Sequence, residues 1–195
     1  MDDIYGGQLP KMEEVLNKLV KRVKDLRVRM ADQTEFDPIE HILYRVKSEE
    51  SMREKCRRKG LPETPESALT KIYDALGVRI VCPFLSDVYS IRDHIACSPD
   101  FDVVEERDYI LHAKPNGYRS YHMILRSHEG FYAEVQLRTI SMDTWAALEH
   151  HLQYKKPHVG NQRLIVQELK RCADELASTD VSMQTIRDMI LAGEE

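Results

Sequence analysis

The fold of this chain is decided by two stretches, Lys114-Pro115-Asn116-Gly117-Tyr118-Arg119-Ser120-Tyr121-His122 and, about a dozen residues later, Glu134-Val135-Gln136-Leu137-Arg138-Thr139. In the first, Pro-Asn-Gly is a turn signal, and the residues after it alternate, so that one face would carry Tyr118, Ser120 and His122. In the second, the predicted buried set is Phe131, Ala133, Val135 and Leu137, and the opposite face is Tyr132, Glu134, Gln136 and Arg138. The pattern predicts two neighbouring strands that carry cations, aromatic rings and one carboxylate. An ordinary strand pair with a polar outer surface is the alternative.

Composition limits the class of protein. A chain of 195 residues is long enough for one domain with its own core. Lysine and arginine number 28 against 33 acidic residues, a net charge of −5, so RNA binding is possible but not expected. No apolar run reaches the length of a membrane span and the first residues lack a signal-peptide pattern, so we expect a cytoplasmic protein with no membrane partner. The cysteines have no Cys-x-x-Cys spacing, which favours reduced thiols, with Cys82 in the core.

Working outward, periodicity and turn residues predict an α+β chain of helices and strands. Helices are expected at residues 10–31, 49–59, 66–76, from 86 and at 141–154, with one or two more over 161–192, and further strands at 42–47, 77–84 and 101–110. In the helix at 141–154, Trp145 and Leu148 are predicted to face inward. The cations of the first helix are interpreted as the solvated side of an amphipathic helix.

A basic platform precedes the second predicted strand. Arg45 and Lys47 would face the same way on a strand, and Ser51, Lys55 and Arg58 follow at helical spacing on one face. The chain has no Gly-x-x-x-x-Gly-Lys-Ser/Thr loop, so any bound polyphosphate must be held by side chains of this kind. A solvated Lys/Arg-rich helix is the alternative.

The two opening stretches, together with Arg107-Asp108-Tyr109, closely resemble the synthetase domain of RelA/SpoT-type enzymes, which make the alarmones ppGpp and pppGpp. The resemblance covers residues of about 38–155, and the chain length is similar to that of the small stand-alone alarmone synthetases. It implies the nucleotidyltransferase-like synthetase fold, which has a central, mostly antiparallel sheet flanked by helices, in a single domain spanning 1–195. Residues 10–31 and 161–192 would then be helical extensions.

The resemblance also implies an activity and a set of site residues. The activity is Mg²⁺-dependent transfer of the ATP β,γ-pyrophosphate to the 3′ oxygen of GDP or GTP, with Asp74 and Glu134 as the catalytic and metal-binding carboxylates. The expected ATP-binding residues are Arg45, Lys47, Ser51, Lys55, Arg58, Arg79 and Arg107. The expected GDP/GTP-binding residues are Lys114, Tyr118, His122, Gln136, Asp143 and Glu149.

Other interpretations stay open at this point. One is a toxic small synthetase that uses tRNA or adenine nucleotides as acceptor, and another is a non-catalytic nucleotide-binding or RNA-binding module, against which the intact Asp74 and Glu134 argue. The chain contains no His-Asp dipeptide, so hydrolase activity is not expected. The apolar stripes of the terminal helices, with the resemblance, suggest a homo-oligomer, a tetramer, although packing on the chain's own core would bury them equally well.

Overall fold

A computed structural model describes residues 3–32, 36–155 and 161–193. Its elements, in chain order, are α1 (Leu9–Ala31), β1 (His41–Val46), α2 (Glu49–Arg58), a π-helical turn (Ser67–Lys71), β2 (Leu76–Cys82), α3 (Leu85–Ala96), β3 (Phe101–Asp108), β4 (Tyr121–Ser127), β5 (Tyr132–Thr139), α4 (Ile140–Lys155) and α5 (Gln162–Ala192).

The strands form one five-stranded sheet in the order β1-β2-β5-β4-β3. The β1–β2, β3–β4 and β4–β5 pairs are antiparallel, whereas β2 and β5 are parallel. The predicted mostly antiparallel sheet is therefore confirmed. The register sets Gly77 of β2 opposite Glu134 of β5, and Gln136 of β5 opposite both Arg79 and His122.

One face of the sheet is covered by α1 and α3 and forms the core. Ala133, Val135 and Leu137 of β5 are buried there, as their alternation predicts, and so are Leu76, Val78 and Ile80 of β2. The apolar stripe of α1 lies in the same core, with buried residues Met12, Val15, Leu16, Leu19, Val20, Val23 and Leu26. Each buried side chain of this size contributes about 1.5–3 kcal/mol, so α1 is held by the chain's own core.

Two predictions about helices are wrong. The segment 66–76 is not one helix, because the backbone leaves the helical region at Ile72 after the five-residue turn, and Leu76 already begins β2. Leu148 is 59% exposed rather than inward, although Trp145 is buried and its indole N–H donates to the Leu169 carbonyl at 2.9 Å. Helical spacing identifies a face, but it does not show how far along that face a neighbouring element extends.

The first opening stretch is only partly a strand, because β4 begins at Tyr121 and the residues from Gly117 to Ser120 are irregular. Gly117 has φ +94°, a conformation that suits glycine. A Cβ atom there would lie 2.6 Å from the Cβ of Ala173 in α5. The turn before Tyr118 therefore packs directly against α5.

The single long helix α5 docks on the rest of the chain largely through polar contacts. Thr139 donates to Asp180 at 2.6 Å, Arg187 donates to Asp87 at 2.8 Å, and Arg119 donates to Asp174 at 2.8 Å. Its other face leaves several apolar side chains exposed, among them Val181, Ile186, Met189 and Ile190. No helix in the described part of the chain is long and apolar enough to cross a membrane.

All four cysteines lie in described segments and carry free thiols. Cys56 and Cys82 are buried, the latter as predicted, and Cys97 and Cys172 are exposed. Burial raises the pKa of the Cys82 thiol, which keeps it protonated.

Candidate active site

Two adjoining cavities lie on the polar face of the sheet and share two carboxylates, Asp74 and Glu134. The larger cavity has a volume of about 620 Å³, and its lining includes Arg45, Lys47, Arg79, Tyr118, Gln136, Arg138 and Glu149. The smaller has a volume of about 160 Å³, and its lining includes Lys55, Lys59, Arg107 and His122. Residues predicted from separate parts of the sequence therefore converge on one cleft.

Sheet topology brings the two carboxylates together. Asp74 lies two residues before β2, in the short turn that follows the π-helical turn. Glu134 lies early in β5, which runs parallel to β2, and its partner in the register is Gly77. The alternation of β5 turns Glu134 away from the core, so both carboxylates face the cleft.

Asp74 is held by two lysines from the predicted basic platform. Lys47 Nζ lies 2.9 Å from Asp74 Oδ2, and Lys55 forms a second ion pair with the same oxygen. Burial pushes the pKa of Asp74 upward, but the hydrogen bonds and charges of Lys55 and Lys47 outweigh it and the pKa is lowered. Asp74 is therefore a carboxylate at neutral pH.

Glu134 accepts two hydrogen bonds from its own sheet face. His122 Nδ1 donates to Glu134 Oε1 at 3.2 Å, and Gln136 Nε2 donates to Glu134 Oε2 at 3.0 Å. Burial and the charge of Asp74 raise the pKa of Glu134, whereas His122 and Gln136 lower it, with a net lowering. A half-buried, ionised carboxylate with fixed oxygens is suited to accept a proton from a hydroxyl group.

The donor set fits a magnesium ion shared with a bound polyphosphate. Within the described residues, Asp74 Oδ1 is buried and has no hydrogen-bond partner, although its sister oxygen has two. The described residues contain no cluster of three or more histidine, cysteine or acidic side chains that could hold a metal alone. Mg²⁺ is usually bound by one or two carboxylates together with substrate phosphates and water. Asp74 and Glu134 can be the two carboxylates of such a site.

The predicted ATP-binding residues divide between the two cavities. Arg45, Lys47 and Arg79 line the larger one, and Lys55 and Arg107 line the smaller one, where Arg107 Nε donates to Glu105 at 2.6 Å. Arg58 and Ser51 lie on α2 but border neither cavity. At the N-terminus of α2, Ser48 Oγ caps the helix by accepting the Ser51 backbone N–H at 3.3 Å.

The predicted guanine side is centred on the ring of Tyr118. Lys114 Nζ lies 4.8 Å from the ring centroid, and the indole of Trp145 lies 6.4 Å away, edge-on. Asn116, in the turn before Tyr118, donates to Glu149 at 3.3 Å. Tyr118 is half-buried and forms part of the cavity wall, as a stacking ring would.

Asp143, expected among the GDP/GTP-binding residues, borders neither cavity. One of its oxygens accepts from Arg138 at 2.9 Å and lies 3.3 Å from Arg79, and the other is 4.0 Å from His41 Nε2. Burial and the nearby Arg138 charge lower the pKa of Arg79, while Asp143 opposes them. In this structure Asp143 therefore pairs with two arginines of the cavity wall.

Sequence reasoning assigned no role to Arg138, yet its buried guanidinium bonds to Tyr118, Gln136 and Asp143. A signal was present, because Arg138 belongs to the predicted polar face of β5 together with Glu134 and Gln136. An arginine two residues beyond a site glutamine on the same strand face is a candidate neighbour of that site.

Comparisons with known proteins agree with one another. A family model described as a region found in RelA / SpoT proteins matches residues 44–159. Two relatives from Bacillus subtilis (strain 168) are named GTP pyrophosphokinases: YwaC is 40% identical, over 77% of this chain and 75% of the relative, and YjbM is 32% identical, over 89% and 84%.

Solved structures give the same result. Small alarmone synthetase 2 from Bacillus subtilis superposes with a TM-score of 0.82 at 34% identity, covering 96% of this chain and all of that one. Small alarmone synthetase 1 from the same organism, bound to its product pppGpp, superposes with a TM-score of 0.79 at 31% identity, covering 92% and 94%.

Proposed function

The chain belongs to the RelA/SpoT family, and on that premise we propose that it transfers the β,γ-pyrophosphate of ATP to the 3′ oxygen of GDP or GTP, producing ppGpp or pppGpp. The observation that carries the proposal is the pair of ionised carboxylates, Asp74 and Glu134, where two cavities meet. Guanidinium groups line one side of the cleft and the Tyr118 ring lines another. Both can stack on a purine, as a reaction between two nucleotides requires.

In this reaction Glu134 receives the proton of the acceptor 3′ hydroxyl. The 3′ oxygen forms a bond to the β-phosphorus of ATP, the bond between that phosphorus and the α,β-bridging oxygen breaks, and AMP leaves. The hydrogen bonds from His122 and Gln136 hold the Glu134 oxygens in place for this step. General-base assistance of this kind is typically worth about 10²- to 10⁴-fold in rate.

Cations of the cleft would neutralise the polyphosphate. Lys47 and Lys55 now pair with Asp74, and both can pass their hydrogen bonds to phosphate oxygens when ATP enters. Arg107 lines the smaller cavity beside Lys55, so we assign that cavity to the transferred pyrophosphate and assign Arg45 and Arg79 to the adenine. Tyr118 would stack on the guanine, with Lys114 and His122 near the acceptor phosphates.

Asp74 and Glu134 would hold Mg²⁺ together with the nucleotide. When bound there, the ion supplies charge that stabilises the negative charge developing on the polyphosphate oxygens. The buried, unpartnered Asp74 Oδ1, as the described residues leave it, supports this assignment.

We propose further that the chain acts as one synthetase domain and assembles as a cytoplasmic homotetramer. The apolar stripe of α1 is buried in the chain's own core and contributes nothing to such an assembly. The exposed apolar side of α5, with Val181, Ile186, Met189 and Ile190, is the surface that supports it.

The test is a product assay with ATP labelled in the β,γ-pyrophosphate and, as separate acceptors, GDP, GTP, AMP, ATP and tRNA. Labelled product from GDP or GTP alone is expected. Product only from an adenine nucleotide or tRNA would assign a different acceptor, and no product from any acceptor would refute the proposed transfer.

A matched pair of variants tests the role of Glu134. Glu134→Gln keeps the shape of the side chain but loses its charge and basicity, so turnover should fall at least about a hundredfold while ATP binding by calorimetry is retained. Glu129→Gln, in the exposed turn between β4 and β5, is the control and should stay near wild type. More than about a tenth of wild-type turnover in Glu134→Gln would remove Glu134 from the proposed role.

A further inference from the structure

Arg138 is the most buried cation of the cleft wall, and three polar side chains around the cleft form hydrogen bonds with it. Its side chain is 5% exposed, although it lies near the end of β5 beside a large cavity. The guanidinium donates three hydrogen bonds of 2.9 Å each, from Nη1 to Asp143 Oδ1 and from Nη2 to Tyr118 Oη and Gln136 Oε1. Burying a charge this deeply is costly unless it is well paired, so these contacts are what hold it.

Two branches lead from the Nη2 atom of Arg138 to the same carboxylate. Along the first, Tyr118 Oη lies 2.8 Å from His122 Nε2, and His122 Nδ1 donates to Glu134 Oε1 at 3.2 Å. Along the second, Gln136 Nε2 donates to Glu134 Oε2 at 3.0 Å. Each oxygen of Glu134 is therefore connected to Arg138 through one branch.

The chemistry of a guanidinium gives both branches a direction. Arginine has five donors and no acceptor, so Tyr118 Oη must accept from Arg138 and its own proton is left for His122 Nε2. A neutral His122 then carries its proton on Nδ1 and donates it toward Glu134. In the same way, Gln136 must turn its carbonyl oxygen to Arg138, which leaves its NH₂ group for Glu134.

The third contact ties this network to the predicted ATP side. Asp143 Oδ1 accepts from Arg138 and lies 3.3 Å from Arg79 Nη1, so this one oxygen forms ion pairs with both arginines. Because Arg79 remains beside Asp143, loss of the Arg138 side chain would not leave that carboxylate without a cation.

We propose that Arg138 is a positioning residue, which fixes the ring of Tyr118 and the hydrogen-bond donors of Glu134 without touching either substrate. The inference rests on the proposed function and extends it to a buried residue of the cavity wall. Tyr118 and Gln136 transmit the effect, one to the acceptor base and both to Glu134.

The matched control is Arg187, which is also buried, at 8% exposed, and also pairs with an aspartate, Asp87, at 2.8 Å. Among the described residues, the Nε atoms of both arginines are buried without a partner, so the two sites carry similar structural costs. Arg187 belongs to α5, contacts Asp87 of α3 and lines neither cavity. Arg187→Gln therefore reports what losing a buried arginine does to stability alone.

The first measurement is calorimetric titration with GDP and with a non-hydrolysable ATP analogue, together with steady-state kinetics. Arg138→Gln should weaken GDP binding about fivefold, as much as Tyr118→Phe does, and lower kcat about tenfold, the effect of losing a charge-assisted hydrogen bond, with ATP-analogue binding within about threefold. Arg138→Lys keeps the charge but not the planar fork, so it should fold and still lose at least about threefold in kcat. Arg187→Gln should lower the urea midpoint and leave both nucleotide affinities within about twofold.

The second measurement separates positioning from general damage. If Arg138 acts through the Tyr118 hydroxyl, Arg138→Gln should change GDP affinity less than about twofold when introduced into Tyr118→Phe. Effects that multiply in the double variant, or an Arg138→Gln phenotype no different from that of Arg187→Gln, would overturn the inference. A wild-type protein that makes no guanine product while its GDP affinity still depends on Arg138 would refute the proposed function and leave the positioning role standing.

Discussion

The close approach of Gly117 to α5 leads to a prediction for which a second glycine, Gly130, is a matched control. Gly117 has φ +94° and Gly130 has φ +91°, so alanine at either position suffers nearly the same backbone strain, about 1–2 kcal/mol. Their surroundings differ. A Cβ at Gly117 would lie 2.6 Å from Ala173 Cβ and 3.0 Å from Lys170 Cα, whereas a Cβ at Gly130 meets no described atom within 4 Å.

The difference between the two variants isolates the contact with α5. Overpacking a well-filled site costs about 1–3 kcal/mol, so Gly117→Ala should lower the free energy of unfolding by about 2–5 kcal/mol in total. Gly130→Ala should show only the strain of about 1–2 kcal/mol. The gain from a stiffer unfolded chain is common to both variants and cancels in the comparison.

The assay is equilibrium urea unfolding of the two variants and the wild type, followed by GDP titration of those that stay folded. Because Gly117 directly precedes Tyr118, Gly117→Ala should also weaken GDP binding, whereas Gly130→Ala should not. Equal destabilisation of the two variants, within about 0.5 kcal/mol, would refute the reasoning, since it would mean that α5 does not press on the turn before Tyr118.

Other variants test other parts of the molecule. Asp74→Asn should lower turnover at least about a hundredfold, and turnover should recover in part as the Mg²⁺ concentration is raised. If turnover of the variant does not depend on the Mg²⁺ concentration, Asp74 does not bind the metal. Lys55→Ala should raise the KM for ATP about tenfold and that for GDP less than about twofold, and equal rises would contradict a donor role. Tyr118→Phe should weaken GDP binding a few-fold and Tyr118→Ala at least about fivefold more, by calorimetry, and equal losses would make the hydroxyl the important group. Burial raises the pKa of the Asp87 carboxyl despite its pairing with Arg187, so the folded state favours the protonated form more than the unfolded state does. The contribution of Asp87 to stability therefore falls as pH rises above 3.8, its pKa in the unfolded chain. Arg187→Gln should therefore cost about 3–5 kcal/mol in urea unfolding at pH 7 and less at about pH 4, and equal costs would rule out a buried charge as the cause.

The candidate site was predictable in part, because some of its properties are local. A carboxylate on the polar face of an alternating strand, as at Glu134, and a basic strand followed by a helix with Lys55 are patterns of neighbouring residues. The roles assigned to such residues came from resemblance, not from periodicity. Ser51 and Arg58 illustrate the limit, since helical spacing set them on one face with Lys55 but could not show that only Lys55 reaches a cavity.

The sequence by itself determined the periodic features: the buried alternation of β5, the apolar stripe of α1 and the turn signal before Tyr118. These depend on two backbone repeats and on the burial of apolar surface, which a short window of residues already contains. Only the tertiary structure decided which elements meet. The parallel pairing of β2 with β5 brought Asp74 and Glu134 to one cleft, Arg138 became the hydrogen-bond partner of Asp143, and α5 packed against Gly117. Such contacts join residues far apart in the chain, and no local repeat encodes which polar groups pair with each other. The pairing depends on tertiary packing, because buried polar and charged groups must have partners only once the core has formed around them.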